Sequence, residues 1–228
     1  MPAARFGWAS VQLDGGIARA LDKIEAWFTG KLGGLPSATP VVADLGALTV
    51  GLMTSAPVST ATACALAVLS RTIVDGGGSV LIPESDPLLA DHVFRENALG
   101  SIVPRATLLY GQPPVIPGLH VVASETDHWV ENLTGLGGCG AHLVLTVVGE
   151  HARQGHPMLP VVQVAESSQR AAIADEDIDL FLTGDAAEDT VALEKLLVAV
   201  AERTCTPLAN AQGFVDFQFT RGLLGVTS

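Results

Sequence analysis

Residues 50–85 constrain the fold more than any other part of the chain. An apolar run at 48–53 has the length of a β-strand, and it is followed by a polar loop and by apolar residues at helical spacing. Three glycines at 76–78 end that helical pattern, and a second apolar strand follows at 79–83. A strand–helix–strand unit of this length predicts two parallel strands joined by a right-handed crossover.

The same alternation of strand and helix patterns continues along the chain. Further predicted strands are 102–110, 119–123, 142–148, 161–164 and 178–182, and predicted helices are 88–97, 124–133 and 185–205. We expect the glycines at 135–140 to end the second of these helices, and an edge strand is predicted after Gly213. The pattern predicts an α/β fold with a doubly wound, mainly parallel, Rossmann-like sheet.

The N-terminal residues differ from this pattern. Residues 16–28 carry one apolar helical face, and a Pro/Ser/Thr-rich linker follows at 35–40. The sequence therefore predicts an N-terminal helical extension with its linker at 1–40 and a single α/β domain at 41–228. The helix either packs on that domain or on a partner chain, and we expect a homo-oligomer.

Charge and cysteine content limit the classes of partner. The formal net charge of −12 argues against nucleic acid or an anionic membrane surface as a partner, but it leaves a small anionic ligand open. The three cysteines are far apart and odd in number, which is typical of a reducing compartment. The sequence has no signal-peptide pattern and no apolar run of membrane-spanning length, so we expect a cytoplasmic protein.

Polar residues follow the first two strands of the predicted sheet. Ligands of open α/β sheets bind beyond the carboxyl ends of the strands, where loops lead into helices. These residues are Thr54, Ser55, Ser59, Thr60 and Thr62 after the first strand, and Glu84, Ser85 and Asp86 after the second. Hydroxyl and N–H groups at a helix start suit an anionic oxygen. The alternative is that these residues only cap two helices.

The loop after the most strand-like run carries a carboxylate and two imidazoles. Glu150, His151 and His156 form a plausible divalent-metal set, although their spacing matches no standard zinc motif. The alternative is a set of solvated loop residues. We expect the loops at 54–62, 84–87 and 149–156 to converge on one cleft. No phosphate-binding glycine motif opens a helix, so no nucleotide cofactor is expected.

Several short motifs together resemble one enzyme family. They are GGSVLIPES at 77–85, ENLTG at 131–135, CGAHLVL at 139–145 with Gly149, PVVQV at 160–164, DID at 177–179 and GFVDF at 213–217. In this order they resemble the C-terminal domain of the altronate/galactarate dehydratases, the sugar-acid hydro-lyases to which the large subunit of sulfolactate sulfo-lyase is also similar. The resemblance covers about residues 45–219.

The chain also departs from the family pattern. The family's glycine-rich GGSD loop and its Asn-Pro helix start are missing after the first strand. Glu150 stands where the family has an arginine, and Phe214 stands where it has a histidine. The polar landmarks Glu84, Asp177 and Asp179 persist.

The resemblance implies elimination of water from a small hydroxy-carboxylate, assisted by iron, manganese or magnesium. If such a site is kept, we expect Glu84 and His156 in catalytic roles, Glu150 and His151 at the metal, and the hydroxyl-rich loop from Thr54 to Thr62 on the substrate. The first hypothesis is therefore a hydro-lyase domain, active alone or with a partner subunit that carries the family's upstream domains. The alternative is a non-catalytic binding or regulatory homologue.

Overall fold

The structure is a computed structural model that describes residues 42–99, 107–124, 126–170 and 172–218. Within the N-terminal segment it describes only Arg19, Asp22 and Ala26, which are helical. The rest of the predicted helix at 16–28, and the linker at 35–40, lie outside the described residues.

Six parallel strands form a single sheet in the order β3-β2-β1-β4-β5-β6. The strands are β1 Thr49–Thr54, β2 Ser79–Pro83, β3 Gly118–Val122, β4 Leu143–Val148, β5 Val161–Glu166 and β6 Leu180–Leu182. The predicted doubly wound, Rossmann-like α/β fold is confirmed. The strand order reverses between β1 and β4, so the topological switch point lies at their carboxyl ends.

Helices cover both faces of the sheet. They are α1 Thr60–Asp75, α2 His92–Phe94 with a π-helical continuation at Arg95–Leu99, α3 Trp129–Gly138, α4 Ala186–Ala201 and α5 Leu208–Ala211. Short 3₁₀ turns lie at Leu45–Ala47, Pro87–Ala90, Ser167–Gln169 and Asp175–Asp177. Among the described residues, no helix combines the length and the apolar character that crossing a bilayer requires.

The two larger of three apolar clusters explain this arrangement. On one face, α1 and α4 bury residues such as Leu66 and Leu193 against the sheet. On the other face, α3 buries Leu133 and Leu136 against β2, β4 and β5. The strands in the middle of the sheet are buried on both faces, and so they read as continuous apolar runs in the sequence.

Two helix predictions were wrong in part. Helix α3 begins at Trp129, after the predicted start, whereas the predicted stop within residues 135–140 is confirmed, because the helix ends at Gly138 and Gly140 has a positive φ. The predicted helix at 88–97 is divided into a 3₁₀ turn, a short α-helix and a π-helical turn.

The two predicted outer strands are reduced to single bridges in the described residues. Leu108 forms an isolated bridge with Val122, and Val215 forms one with Gly155. Residues 102–106 of the first predicted strand lie outside the described ranges.

Candidate functional site

The ends of β1 and β2 are joined by a buried carboxylate. The N–H and hydroxyl of Thr54 each donate to a carboxylate oxygen of Asp86 at 2.7 Å, and the N–H of Leu88 donates to it at 2.9 Å. Burial raises the pKa of Asp86, and these hydrogen bonds offset part of that effect, so its pKa stays above the ordinary value. Thr54, a predicted substrate-binding residue, therefore has its polar groups satisfied within the protein.

Direct contacts close the crevice at the switch point. The N–H of Ser55 donates to the Val147 carbonyl at 2.9 Å, and the N–H of Gly149 donates to the Ser55 hydroxyl at 2.9 Å. The cavity that remains beside these residues is about 50 Å³. Ligand clefts in proteins are typically about 300–1,000 Å³. This cavity is therefore too small for a sugar acid.

The start of α1 already binds a carboxylate, which belongs to Glu166 at the end of β5. One Glu166 oxygen accepts hydrogen bonds from the N–H of Ser59 at 2.7 Å and from the hydroxyl of Thr62 at 2.8 Å. Burial raises the pKa of Glu166, but the hydrogen bonds from Ser59 and Thr62 outweigh burial and hold it below the ordinary value. The predicted carboxylate cradle is therefore filled by the chain itself.

The other predicted residues at this edge are exposed. Glu84 and Thr60 both face solvent. Ser85 is exposed as well, and its hydroxyl donates to the Thr126 carbonyl at 3.3 Å. Glu84 thus lies on an accessible surface, one strand away from the closed switch point.

The loop after β4 is fixed to the sheet, and it exposes Glu150 and His151. Gln163 of β5 is almost fully buried, and its side-chain amide forms hydrogen bonds with both the N–H and the carbonyl of Arg153. The indole N–H of Trp129 donates to the Gln154 carbonyl at 2.8 Å. The two exposed side chains are therefore carried on a well-anchored loop.

His156 lies in a different set of contacts. The residue is only 3 % exposed, and its ring packs edge-on against Phe217 with 5.2 Å between ring centroids. The N–H of Met158 donates to Nδ1 at 3.2 Å, and the hydroxyl of Thr134 lies 3.4 Å from Nε2. Burial lowers the pKa of His156. These contacts hold the imidazole of His156 in the interior. The side chains of Glu84, Glu150 and His151, in contrast, are exposed.

The side chains predicted to hold a metal are not gathered in one place. Glu150 and His151 face solvent, while His156 is enclosed by Thr134, Met158 and Phe217. Within the described ranges, no three or more His, Cys, Asp or Glu side chains are grouped closely enough to hold a metal ion. The predicted donor set is therefore not assembled by the described residues.

A larger cleft lies over the sheet face at β5. Its volume is about 450 Å³, which is in the range of small-molecule sites. The lining residues are His151, Ala152, Gln163, Ala172, Ile173, Ala174, Asp177, Ala209, Gln212 and Phe214. The walls come from the loop after β4, the connection between β5 and β6, and the segment around α5. The lining includes both small apolar side chains, such as Ala172 and Ala174, and polar ones, such as His151, Asp177 and Gln212.

Asp179 anchors one wall of this cleft. Its carboxylate accepts hydrogen bonds from the N–H of Gln163 at 2.7 Å and from the N–H of Leu208 at 2.8 Å. Burial raises the pKa of Asp179, and these two hydrogen bonds oppose that effect only in part. Asp179 thus fixes the start of α5 beside the sheet.

Sequence reasoning missed Glu166 for a simple reason. The predicted strand ended at residue 164, whereas β5 continues to Glu166. The rule that drew attention to Glu84, a polar residue at the carboxyl end of a strand, applies equally to Glu166 once the correct strand end is known. Its partners, Ser59 and Thr62, are more than a hundred residues away, so no local pattern could reveal the contact.

Comparison of the sequence with protein-family models finds no matching family, and comparison with curated proteins finds no significant match.

Proposed function

We propose that the chain is a small-molecule-binding homologue of the sugar-acid hydro-lyases and that it binds its ligand in the 450 Å³ cleft over β5. One observation carries this proposal. His151, Asp177 and Phe214 line the cleft together. Asp177 and Phe214 belong to the family-like stretches 177–179 and 213–217, and His151 lies two residues after Gly149, which ends a third stretch. Three distant motifs that meet at one cavity of suitable size favour a ligand site there.

The expected ligand is a small hydroxy-carboxylate. The imidazole of His151 can donate a hydrogen bond to a carboxylate, and the Asp177 carboxylate can accept hydrogen bonds from hydroxyl groups. Phe214 is 47 % exposed and offers an apolar surface to the carbon chain of the ligand. This set of groups suits recognition of a polyhydroxylated chain.

Several contacts support binding without turnover by the isolated chain. Elimination next to a carboxylate needs a base for the α-proton and a cationic or acidic group for the developing enediolate. Glu166 occupies the donors at the start of α1, and Asp86 occupies those of Thr54. Glu150 places a carboxylate where the resemblance implies an arginine, which disfavours an anionic substrate at that edge.

The test uses the purified full chain, altronate, galactarate and shorter hydroxy acids, with the matching sugar alcohols as neutral controls. A ligand at a hundred times its Kd stabilises the folded state by about 2.7 kcal/mol, which raises Tm by several degrees. We expect His151→Ala and Asp177→Asn each to weaken binding at least about tenfold. Glu84→Gln, at the sheet edge, is the matched control and should bind normally. Equal loss in all three variants, or no binding by any acid in the panel, would refute the proposal.

A second candidate is a cytoplasmic hydro-lyase completed by a partner subunit. The exposed side chains of Glu84, Glu150 and His151 favour it, because such groups are accessible to a second chain and to a divalent metal. The discriminating assay follows 2-keto acid formation with iron(II), manganese(II) or magnesium(II). Turnover that Glu84→Gln abolishes would favour this candidate, whereas ligand binding without turnover favours the binding homologue.

A further inference from the structure

Residues 208–217, here called the C-terminal wall, close one side of the cleft. The wall supplies Ala209, Gln212 and Phe214 to the lining. Its first half is held by hydrogen bonds with Asp179, Val161 and Glu176, and its second half is attached to the loop after β4 at Gly155 and His156. Gly155 exchanges backbone hydrogen bonds with Phe214 and Asp216, at 2.9 and 3.1 Å.

His156 contributes both its backbone and its ring to this attachment. The side-chain amide of Asn210 donates to the His156 carbonyl at 2.8 Å, and the ring of Phe217 packs against the imidazole. The imidazole therefore packs against the wall, and its protonation state affects whether the wall stays in place.

The hydrogen bonds of the ring specify one neutral tautomer. The N–H of Met158 can only donate, so Nδ1 must present a lone pair, and the proton of neutral His156 is on Nε2. Nε2 then faces the hydroxyl oxygen of Thr134, whose own proton is donated to the Val130 carbonyl at 2.9 Å. Each polar contact of the ring is thus consistent with a neutral imidazole.

Protonation would disrupt this arrangement. A proton on Nδ1 would point at the N–H of Met158, which replaces a hydrogen bond with a repulsion. The new positive charge would also be buried. Among the described residues, the ring contacts come from Thr134 of α3, Met158 of its own loop and Phe217 of the wall, and none of these is acidic.

The titratable groups on the elements around the ring form none of its hydrogen bonds in the described structure. They are the buried Glu131 on α3, Asp216 in the wall, and Glu150, His151 and Arg153 on the loop of His156 itself. Asp216 is exposed, and it contributes its backbone N–H to Gly155. Helix α5 carries no titratable side chain.

We propose that His156 is a pH-sensitive latch, which keeps the C-terminal wall closed while the imidazole is neutral and releases the wall when the imidazole is protonated. Because burial lowers the pKa of His156 in the closed state, the latch should hold fully above the ordinary histidine pKa of about 6.5 and weaken as pH falls below it. The link to ligand binding rests on the proposed function of the cleft. The latch itself does not, because the contacts that hold the wall all join residues of this chain.

The test measures amide hydrogen exchange of the full chain without ligand, corrected for the intrinsic effect of pH. Between about pH 7 and about pH 5, the protection of peptides from the C-terminal wall should fall at least about tenfold. Protection of β1 and α1, in the same samples, should remain constant. Because no ligand is used, failure of the ligand-binding proposal would leave this result unaffected.

Two variants and one direct titration complete the test. His156→Gln cannot be protonated in this range and should abolish the fall, whereas His151→Gln removes an exposed histidine of the same loop and should retain it. If His156→Gln does not fold, the titration of the wild-type imidazole by NMR decides, because its midpoint must match the midpoint of wall opening. Unchanged protection of the wall at acidic pH, or mismatched midpoints, would overturn the proposal.

Discussion

Glu166 takes the position at the start of α1 that an anionic ligand was expected to take. A helix N-terminus attracts negative charge because its first N–H groups have no partner within the helix. The strand order places the end of β5 near that terminus, and the Glu166 side chain supplies the charge. The N-terminus of α1, which we expected to bind a ligand, thus stabilises the contact between β5 and α1.

Replacement of Glu166 tests this assignment. Glu166→Gln keeps the size of the side chain but removes the charge that accepts from Ser59 and Thr62. Hydrogen bonds to charged groups contribute about 1.5–3 kcal/mol, and partial exposure of Glu166 reduces that, so we expect a loss of about 1 kcal/mol in unfolding free energy. Urea denaturation at neutral pH measures it. Glu84→Gln, an exposed carboxylate at the end of β2, should change stability by less than about 0.5 kcal/mol.

The same residue predicts a pH dependence of stability. The pKa of Glu166 is lower in the folded state than in the unfolded chain, so its contribution is fully present above the unfolded pKa of about 4.3. That contribution is lost as pH falls through the folded pKa. The stability difference between wild type and Glu166→Gln should therefore shrink below about pH 4. A difference that stays constant down to strongly acidic pH would show that Glu166 acts through packing alone.

At the scale of elements, α3 shows what a glycine pattern can and cannot predict. The glycines at 135–140 predict a helix stop, and the helix does end among them at Gly138, but Gly135 lies inside the helix. A β-carbon at Gly135 would lie 2.4 Å from the ring of Tyr110, whose hydroxyl donates to the Glu131 carbonyl. The glycine is thus required for close packing of the ring, which the sequence does not reveal because Tyr110 is distant along the chain.

Two alanine substitutions in α3 separate packing from helix propensity. Gly135→Ala should destabilise the protein, because an overpacked contact costs about 1–3 kcal/mol and exceeds the gain of about 1 kcal/mol in propensity. Gly137→Ala meets only Leu159, at 3.4 Å, and should be neutral or stabilising by up to about 1 kcal/mol. Thermal unfolding of both variants measures the difference. Equal effects on Tm would show that Tyr110 does not determine the residue at position 135.

At the scale of the whole molecule, the fold was predictable where burial alone determines the order of apolar and polar residues in the sequence. The strands of the sheet centre are continuous apolar runs, and their parallel order follows from the helices between them. Sequence reasoning failed where polar groups pair across the fold. Thr54 with Asp86, Ser55 with Gly149, and Ser59 with Glu166 are all long-range contacts, and together they close the crevice that topology alone would leave open.

A ligand can bind either in the cleft over β5, as we propose, or at the switch point between β1 and β4. The most direct measurement is a map of backbone amide chemical-shift changes when a hydroxy acid that stabilises the chain is titrated into it. We predict that the largest changes occur at His151, Asp177 and Gln212, which line the cleft, and that Thr54 and Ser59 at the switch point change little. Changes centred on Thr54, Ser59 and Gly149, with little effect at Asp177 and Gln212, would contradict the account and locate the ligand at the carboxyl edge of the sheet.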